Sequence, residues 1–121
     1  MHMSANRLIT IWHNPHCSKS RGTLDLLRER GIEPAVVDYQ KNPPGASEIE
    51  HALALLGKQP RELMRKGETV YTELGLDDPE LTREQLIDAM TTHPVLIERP
   101  IVFANGTAAI GRPPEVVLSI L

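Results

Sequence analysis

The chain has 121 residues, a length that suits one domain with one hydrophobic core. At this size folding removes roughly two-thirds of the unfolded chain's surface from water, so neither a disulfide nor a metal is required to hold it. A net charge of −3 at pH 7 excludes a nucleic-acid binder that relies on bulk positive charge, and no apolar run approaches the ~20 residues that span a bilayer.

Aromatic residues are only 3% of the chain, so the core has to be built from Leu, Ile, Val and Ala. Arg7 interrupts any apolar signal segment near the N-terminus, and the single cysteine excludes an internal disulfide framework. Both features predict a reducing compartment, the cytoplasm.

The run Leu8-Ile9-Thr10-Ile11-Trp12 predicts a first strand, stopped by Asn14-Pro15. Ser18 to Arg30 follows as a helix closed by Gly31, and Ala35 to Tyr39 as a second strand. Ser47-Glu48-Ile49-Glu50 has the spacing of a capping box, which opens a helix with Ile49, Ala52, Leu53 and Leu56 on one face and Gly57 at its end. Arg61 to Arg65 predicts a short helix. A second box, Thr82 to Gln85, opens another that ends before Pro94.

Asn105-Gly106 between Ile101–Ala104 and Thr107–Ile110 predicts a hairpin, because both turn positions need positive φ. Pro113-Pro114 then begins a final α-helix with Val117, Ile120 and Leu121 on one face. The order β-α-β, several helices, hairpin, α is most simply one mixed sheet covered by helices, an α/β fold.

Cys17 falls where the first strand turns into the first helix. Unpaired amides and partial positive charge at a helix start favour thiolate over thiol and also cradle anions. Lys19 and Arg21 follow in the first turn, and His13 and His16 flank the loop. A buried structural cysteine is the bland alternative, but a Pro-containing loop is a poor place to pack one. His13, His16 and Cys17 match no usual zinc spacing, so no metal is expected. Cys17-Ser18-Lys19-Ser20 is a C-x-x-S, with no second thiol anywhere in the chain. An adduct on Cys17 must therefore be resolved by an outside thiol. Thr23 stands six residues beyond Cys17, which disfavours the phosphate loop of low-molecular-weight phosphatases.

Taken singly, Arg65 beside Lys66 reads as a solvated surface charge. Arg99 and Arg112 are more suggestive, since each precedes a proline at the edge of a predicted element. Arg61 and Arg83 lack such context and read as surface residues, as do His51 and His93. Arg21 either lines a pocket or sits on the helix face.

The segment His13-Asn14-Pro15-His16-Cys17-Ser18-Lys19-Ser20-Arg21 resembles the active-site loop of the glutaredoxin-linked arsenate reductase (ArsC) family. The resemblance recurs at Leu63-Met64-Arg65-Lys66, at Glu98-Arg99-Pro100-Ile101-Val102, and at Gly111 to Leu118, in the same order. Cys17-Ser18-Lys19-Ser20 and Ala104-Asn105-Gly106 look most like the YfgD-like subgroup. The resemblance implies a single thioredoxin-like domain over residues 1–121, with a helical insertion at about 46–93. It implies Cys17 as nucleophile, His13 lowering the thiol pKa, Ser20 assisting, and Arg65, Arg99 and Arg112 around the oxyanion. It also implies a cis Arg99-Pro100 bond.

By the same resemblance the substrate is arsenate, glutathione is a co-substrate, glutaredoxin is the protein partner, and no cofactor is tightly bound. Neither nucleic acid nor membrane is an expected partner. Two other readings stay open: a monothiol protein that exchanges glutathione mixed disulfides, and a non-catalytic regulator like the Spx proteins, which bind RNA polymerase. Those regulators often carry a C-x-x-C at this loop, and Ser20 removes its second thiol here.

Overall fold

The computed structural model describes residues 9–121 and divides the chain into two compact units. The first holds the N-terminal segment to Asn42 together with Arg99–Leu121; the second is Pro43–Glu98. Leu8, expected at the start of the first strand, lies outside the described residues.

The first unit is a four-stranded mixed sheet in the order β2-β1-β3-β4, with β1 Thr10–His13, β2 Ala35–Asp38, β3 Ile101–Ala104 and β4 Thr107–Ile110. β1 runs parallel to β2 and antiparallel to β3, which forms a hairpin with β4. The hairpin turn is the expected one: Asn105 and Gly106 have φ of 54° and 77°, the left-handed pair that matches the twist of the flanking strands. Helix α1, Ser18–Glu29, joins β1 to β2 and ends at Gly31, whose φ is 78°.

Apolar residues fill the interior of this unit: Ile9 just ahead of β1, Ile11, Val102, Ala104 and Ala109 of the sheet, Leu24 and Leu27 of α1, and Val117 of the last segment. Trp12 packs on Phe103 with ring centroids 5.0 Å apart, the packing role its place in a strand predicts.

That last segment, Pro114–Ile120, is a 3-10 helix and not the expected α-helix. The β-branched pair Val116-Val117 weakens α-helix propensity. With three residues per turn, Val117 and Ile120 share one face and Leu121 rotates off it, leaving Leu121 exposed. The side-chain amide of Asn105 donates to the Ile120 carbonyl at 2.8 Å and so satisfies the segment's end.

The second unit is helical: α2 Ala46–Leu56, α3 Thr69–Glu73 and α4 Arg83–Thr92, with 3-10 turns at Pro60–Leu63 and Pro94–Leu96. The 3-10 turn stands where a short helix over Arg61 to Arg65 is expected. α3, five residues without apolar periodicity, carries no sequence signal.

The Thr82 box forms as expected: Thr82 Oγ accepts from the Gln85 amide at 3.1 Å, and Gln85 Oε1 accepts from the Thr82 amide at 2.8 Å. The Ser47 box does not. α2 starts two residues earlier, at Ala46, because extended Gly45 serves as its cap and Glu48 accepts the Gly45 amide at 2.8 Å. Ser47 then lies inside the first turn, and Glu50 turns to Arg83. Gly57 ends α2 in the left-handed conformation, as expected. No helix among the described residues is long and apolar enough to cross a membrane.

Candidate active site

Cys17 is the N-cap of α1, with extended φ and ψ of −101° and 124°. Its sulfur takes the place where a serine or aspartate oxygen would meet the first amides of the helix. It is partly exposed, which suits a reacting group better than a packing one. Burial pushes the thiol pKa up. The Ser20 amide, the Arg99 guanidinium and the Lys19 amide outweigh that, and the net effect is a pKa below the ordinary thiol value. The sulfur makes no cap hydrogen bond of regular geometry. The two amides therefore act chiefly through their partial charges and through a long contact to a large, soft acceptor.

The loop before Cys17 is held from inside. Asn14 donates its backbone N–H to Ser20 Oγ at 2.9 Å, and its carbonyl accepts the Cys17 N–H at 3.0 Å. Its side-chain oxygen accepts the His16 N–H at 2.9 Å. Pro15 occupies the second position of the resulting turn, where its fixed φ is favourable. Arg21 donates to the Pro15 carbonyl at 2.9 Å and so clamps the loop, a role that neither expectation for it named.

His13 and Ser20 are both buried and lie 2.6 Å apart, Nδ1 to Oγ. Ser20 Oγ accepts from the Asn14 amide and uses its remaining hydrogen-bonding capacity on His13 Nδ1, which ties the ring to the start of α1. Burial lowers the His13 pKa, with Arg28 and Arg21 adding to the shift while Asp38 and Asp25 oppose it. The ring is thus neutral at pH 7. Full positive charge at the thiol comes from Arg99, and the Ser20 hydroxyl is directed to His13 and Asn14.

Arg99 begins the stretch that returns from the helical unit to β3, and Arg99-Pro100 is cis, as is Arg112-Pro113. Arg112 donates from Nη1 to the Arg99 carbonyl at 3.1 Å, joining the two expected arginines within the first unit. Gly111 lets these stretches approach: a Cβ there would lie 2.5 Å from Thr23 Oγ1 and 3.0 Å from Pro100 Cγ. Arg65 belongs to the second unit. There it meets Glu68 at 3.2 Å and Glu98 at 2.9 Å.

The first unit therefore brings together Cys17, His13, Ser20, Arg99 and Arg112 of the residues singled out from sequence. Sequence reasoning had Asn14 only as a strand stop and a member of the loop motif, and gave Glu68 and Glu98 no role as partners of Arg65 and Thr23 none as a neighbour of Gly111. The Asn-Pro spacing ahead of Cys17 was the available signal for Asn14. Among the described residues no group of His, Cys, Asp and Glu is arranged to hold a metal ion. What the arrangement offers chemically is an accessible low-pKa thiol beside a guanidinium and helix-start amides, a setting for nucleophilic attack on an anion.

The ArsC family model matches residues 12–120. The chain is 54% identical over 114 residues to the protein YfgD of Escherichia coli, covering 93% of this chain and 96% of that one. It is 50% identical over 114 residues to an arsenate reductase of Neisseria meningitidis, covering 93% and 97%. Among solved structures, an arsenate reductase from Vibrio cholerae superposes with a TM-score of 0.92 at 49% identity, covering 93% of this chain and 97% of that one. The fold is thioredoxin-like, as expected.

Proposed function

The chain belongs to the ArsC family, and from that premise we propose that it is an arsenate reductase in which Cys17 attacks arsenate and an external thiol completes the reduction. The observation that carries the proposal is Cys17 at the start of α1, its thiol held below the ordinary pKa by the Ser20 and Lys19 amides and the Arg99 guanidinium. Relatives at about half identity that bear the name arsenate reductase support the substrate.

Arsenate near neutral pH is a tetrahedral oxyanion, and arginine's planar fork suits it. Of the arginines the family pattern marks, Arg99 and Arg112 share a unit with Cys17, and the proposal rests on these two. The thiolate attacks arsenic and one oxygen leaves as water after taking up protons, giving a Cys17 sulfur–arsenic(V) adduct. Donors already in place stabilise the charge as it moves onto the oxygens.

A glutathione thiolate then bonds to Cys17 Sγ. The sulfur–arsenic bond breaks with its electron pair staying on arsenic, and As(III) departs as arsenite. Cys17 is left as a mixed disulfide with glutathione, and a glutaredoxin thiol removes the glutathione. The balance is one arsenate and two thiols giving arsenite, one disulfide and water. Cys17 is the sole cysteine of the chain, so both reducing sulfurs come from outside. Such a cycle belongs in a reducing compartment, the cytoplasm.

The test is arsenate-dependent NADPH oxidation coupled through glutathione, glutaredoxin and glutathione reductase. Wild type turns over and Cys17→Ser loses at least about three orders of magnitude, the scale of removing a nucleophile. No turnover by wild type, with Cys17 still exchanging with glutathione disulfide, would replace this reading with that of a monothiol exchange protein.

A further inference from the structure

One residue of the Cys17 loop binds it at three separate points, and no chemistry described so far uses its side chain. Asn14 is 7% exposed and lies between the end of β1 and Pro15. Its amide reaches into α1 at Ser20, its carbonyl takes the Cys17 amide, and its side-chain oxygen takes the His16 amide. These contacts fix the residue before Cys17, Cys17 itself, and the third residue of the helix whose amides face the sulfur.

We propose that Asn14 is a positioning residue for the nucleophile: its side chain holds the His16 amide so that Cys17 meets the helix-start amides and Arg99 in a reactive geometry. The reason is directional. The amide charges and the guanidinium act on Sγ over a short range, and a loop free to pivot at His16 would carry the sulfur out of their reach. The backbone bonds of Asn14 survive substitution, whereas the bond to His16 depends on the side chain. An asparagine oxygen meets the amide two residues on with little strain, and a serine hydroxyl does so more weakly. The groups that act on Cys17 are Arg99 and the Ser20 and Lys19 amides, and Asn14 adds no charge among them.

The proposal concerns the nucleophile of the reaction proposed above, but its test needs no arsenate. The rate of iodoacetamide alkylation of Cys17 is followed from pH 5 to pH 10 in wild type, Asn14→Ala and Asn14→Ser, with folding checked by circular dichroism. Asn14→Ala is expected to alkylate about fivefold more slowly at neutral pH, the scale of one lost hydrogen bond, with the midpoint of its pH profile moved upward. Asn14→Ser recovers most of the rate. A purely structural role lowers the melting temperature and leaves the midpoint where it was, and that outcome overturns the proposal. Equal losses in the alanine and serine variants overturn it as well. Should the alanine variant fail to fold, the serine variant decides: a profile close to wild type supports the proposal, and a rate as low as that of free cysteine ends it. Wild type that alkylates readily yet never reduces arsenate would refute the reductase reading and leave this one standing.

Discussion

In the helical unit Arg65 meets two carboxylates, Glu68 and Glu98, and Arg83 forks onto Glu50, whereas in the sheet unit Arg99 meets a thiol and Arg112 a backbone carbonyl. The sheet unit has an arginine–carboxylate pair too, Arg28 with Glu33, but it lies at the far end of α1 from Cys17. The contrast teaches what makes an arginine chemical and not merely structural. A guanidinium between two carboxylates is part of a locally negative group that ties segments together. A guanidinium that acts on a thiol shifts that thiol toward its reactive form.

The contrast is broken most directly at Arg99. Arg99→Ala is expected to lower kcat/KM for arsenate about a hundredfold, the scale of losing one oxyanion donor, and to move the Cys17 alkylation midpoint upward. Arg83→Ala in the same assay should stay close to wild type. Equal losses in the two variants would erase the distinction between the units.

Packing gives the next largest effect. Gly111→Ala drives a methyl group against Thr23, whose hydroxyl is already bonded to the Lys19 carbonyl, and against Pro100. Overpacking of this kind costs about 1–3 kcal/mol, read as a drop in melting temperature. In the helical unit Gly67→Ala meets nothing within 4 Å and should leave the melting temperature unchanged or slightly higher.

A smaller effect belongs to His13. Its folded pKa lies below its unfolded value because burial disfavours the charged ring. The associated stability is therefore present above the unfolded value of about 6.5 and is lost as pH falls toward the folded one, since the unfolded chain then binds a proton the folded chain refuses. Melting curves from pH 7.5 to pH 5 should fall less steeply for His13→Gln than for wild type; parallel slopes would contradict the assignment of a neutral ring. The smallest effect is that of the Arg83–Glu50 pair on stability. Both side chains are about half exposed, so Arg83→Ala should shift the melting temperature slightly at low salt and not at all at high salt.

Much of the frame was legible in the sequence because it depends on local rules. Asn105-Gly106 demanded a hairpin turn, Gly31 and Gly57 demanded helix ends, and Thr82 with Gln85 formed the reciprocal cap their spacing announced. Cys17 was legible as a candidate nucleophile because its place between a strand and a helix carries its own electrostatics. Where two local signals competed, sequence alone chose wrongly. Ser47 and Glu50 have the box spacing, but so do Gly45 and Glu48, and the helix takes the earlier start while Glu50 binds Arg83 from a distant helix. The last segment failed similarly: its apolar spacing permits an α-helix, yet it is wound with three residues per turn.

By itself, then, the sequence determined the turns, most helix limits, the position of the thiol and the family pattern, each of which depends on residues close together in the chain. Only the tertiary structure decided which arginine acts on the thiol, that the Ser20 hydroxyl serves His13 and Asn14, and that His13 is a neutral buried ring. Those outcomes depend on burial and on partners as far apart as Cys17 and Arg99. A charge or a hydroxyl takes its role from what the fold sets beside it, and spacing along the chain does not encode that.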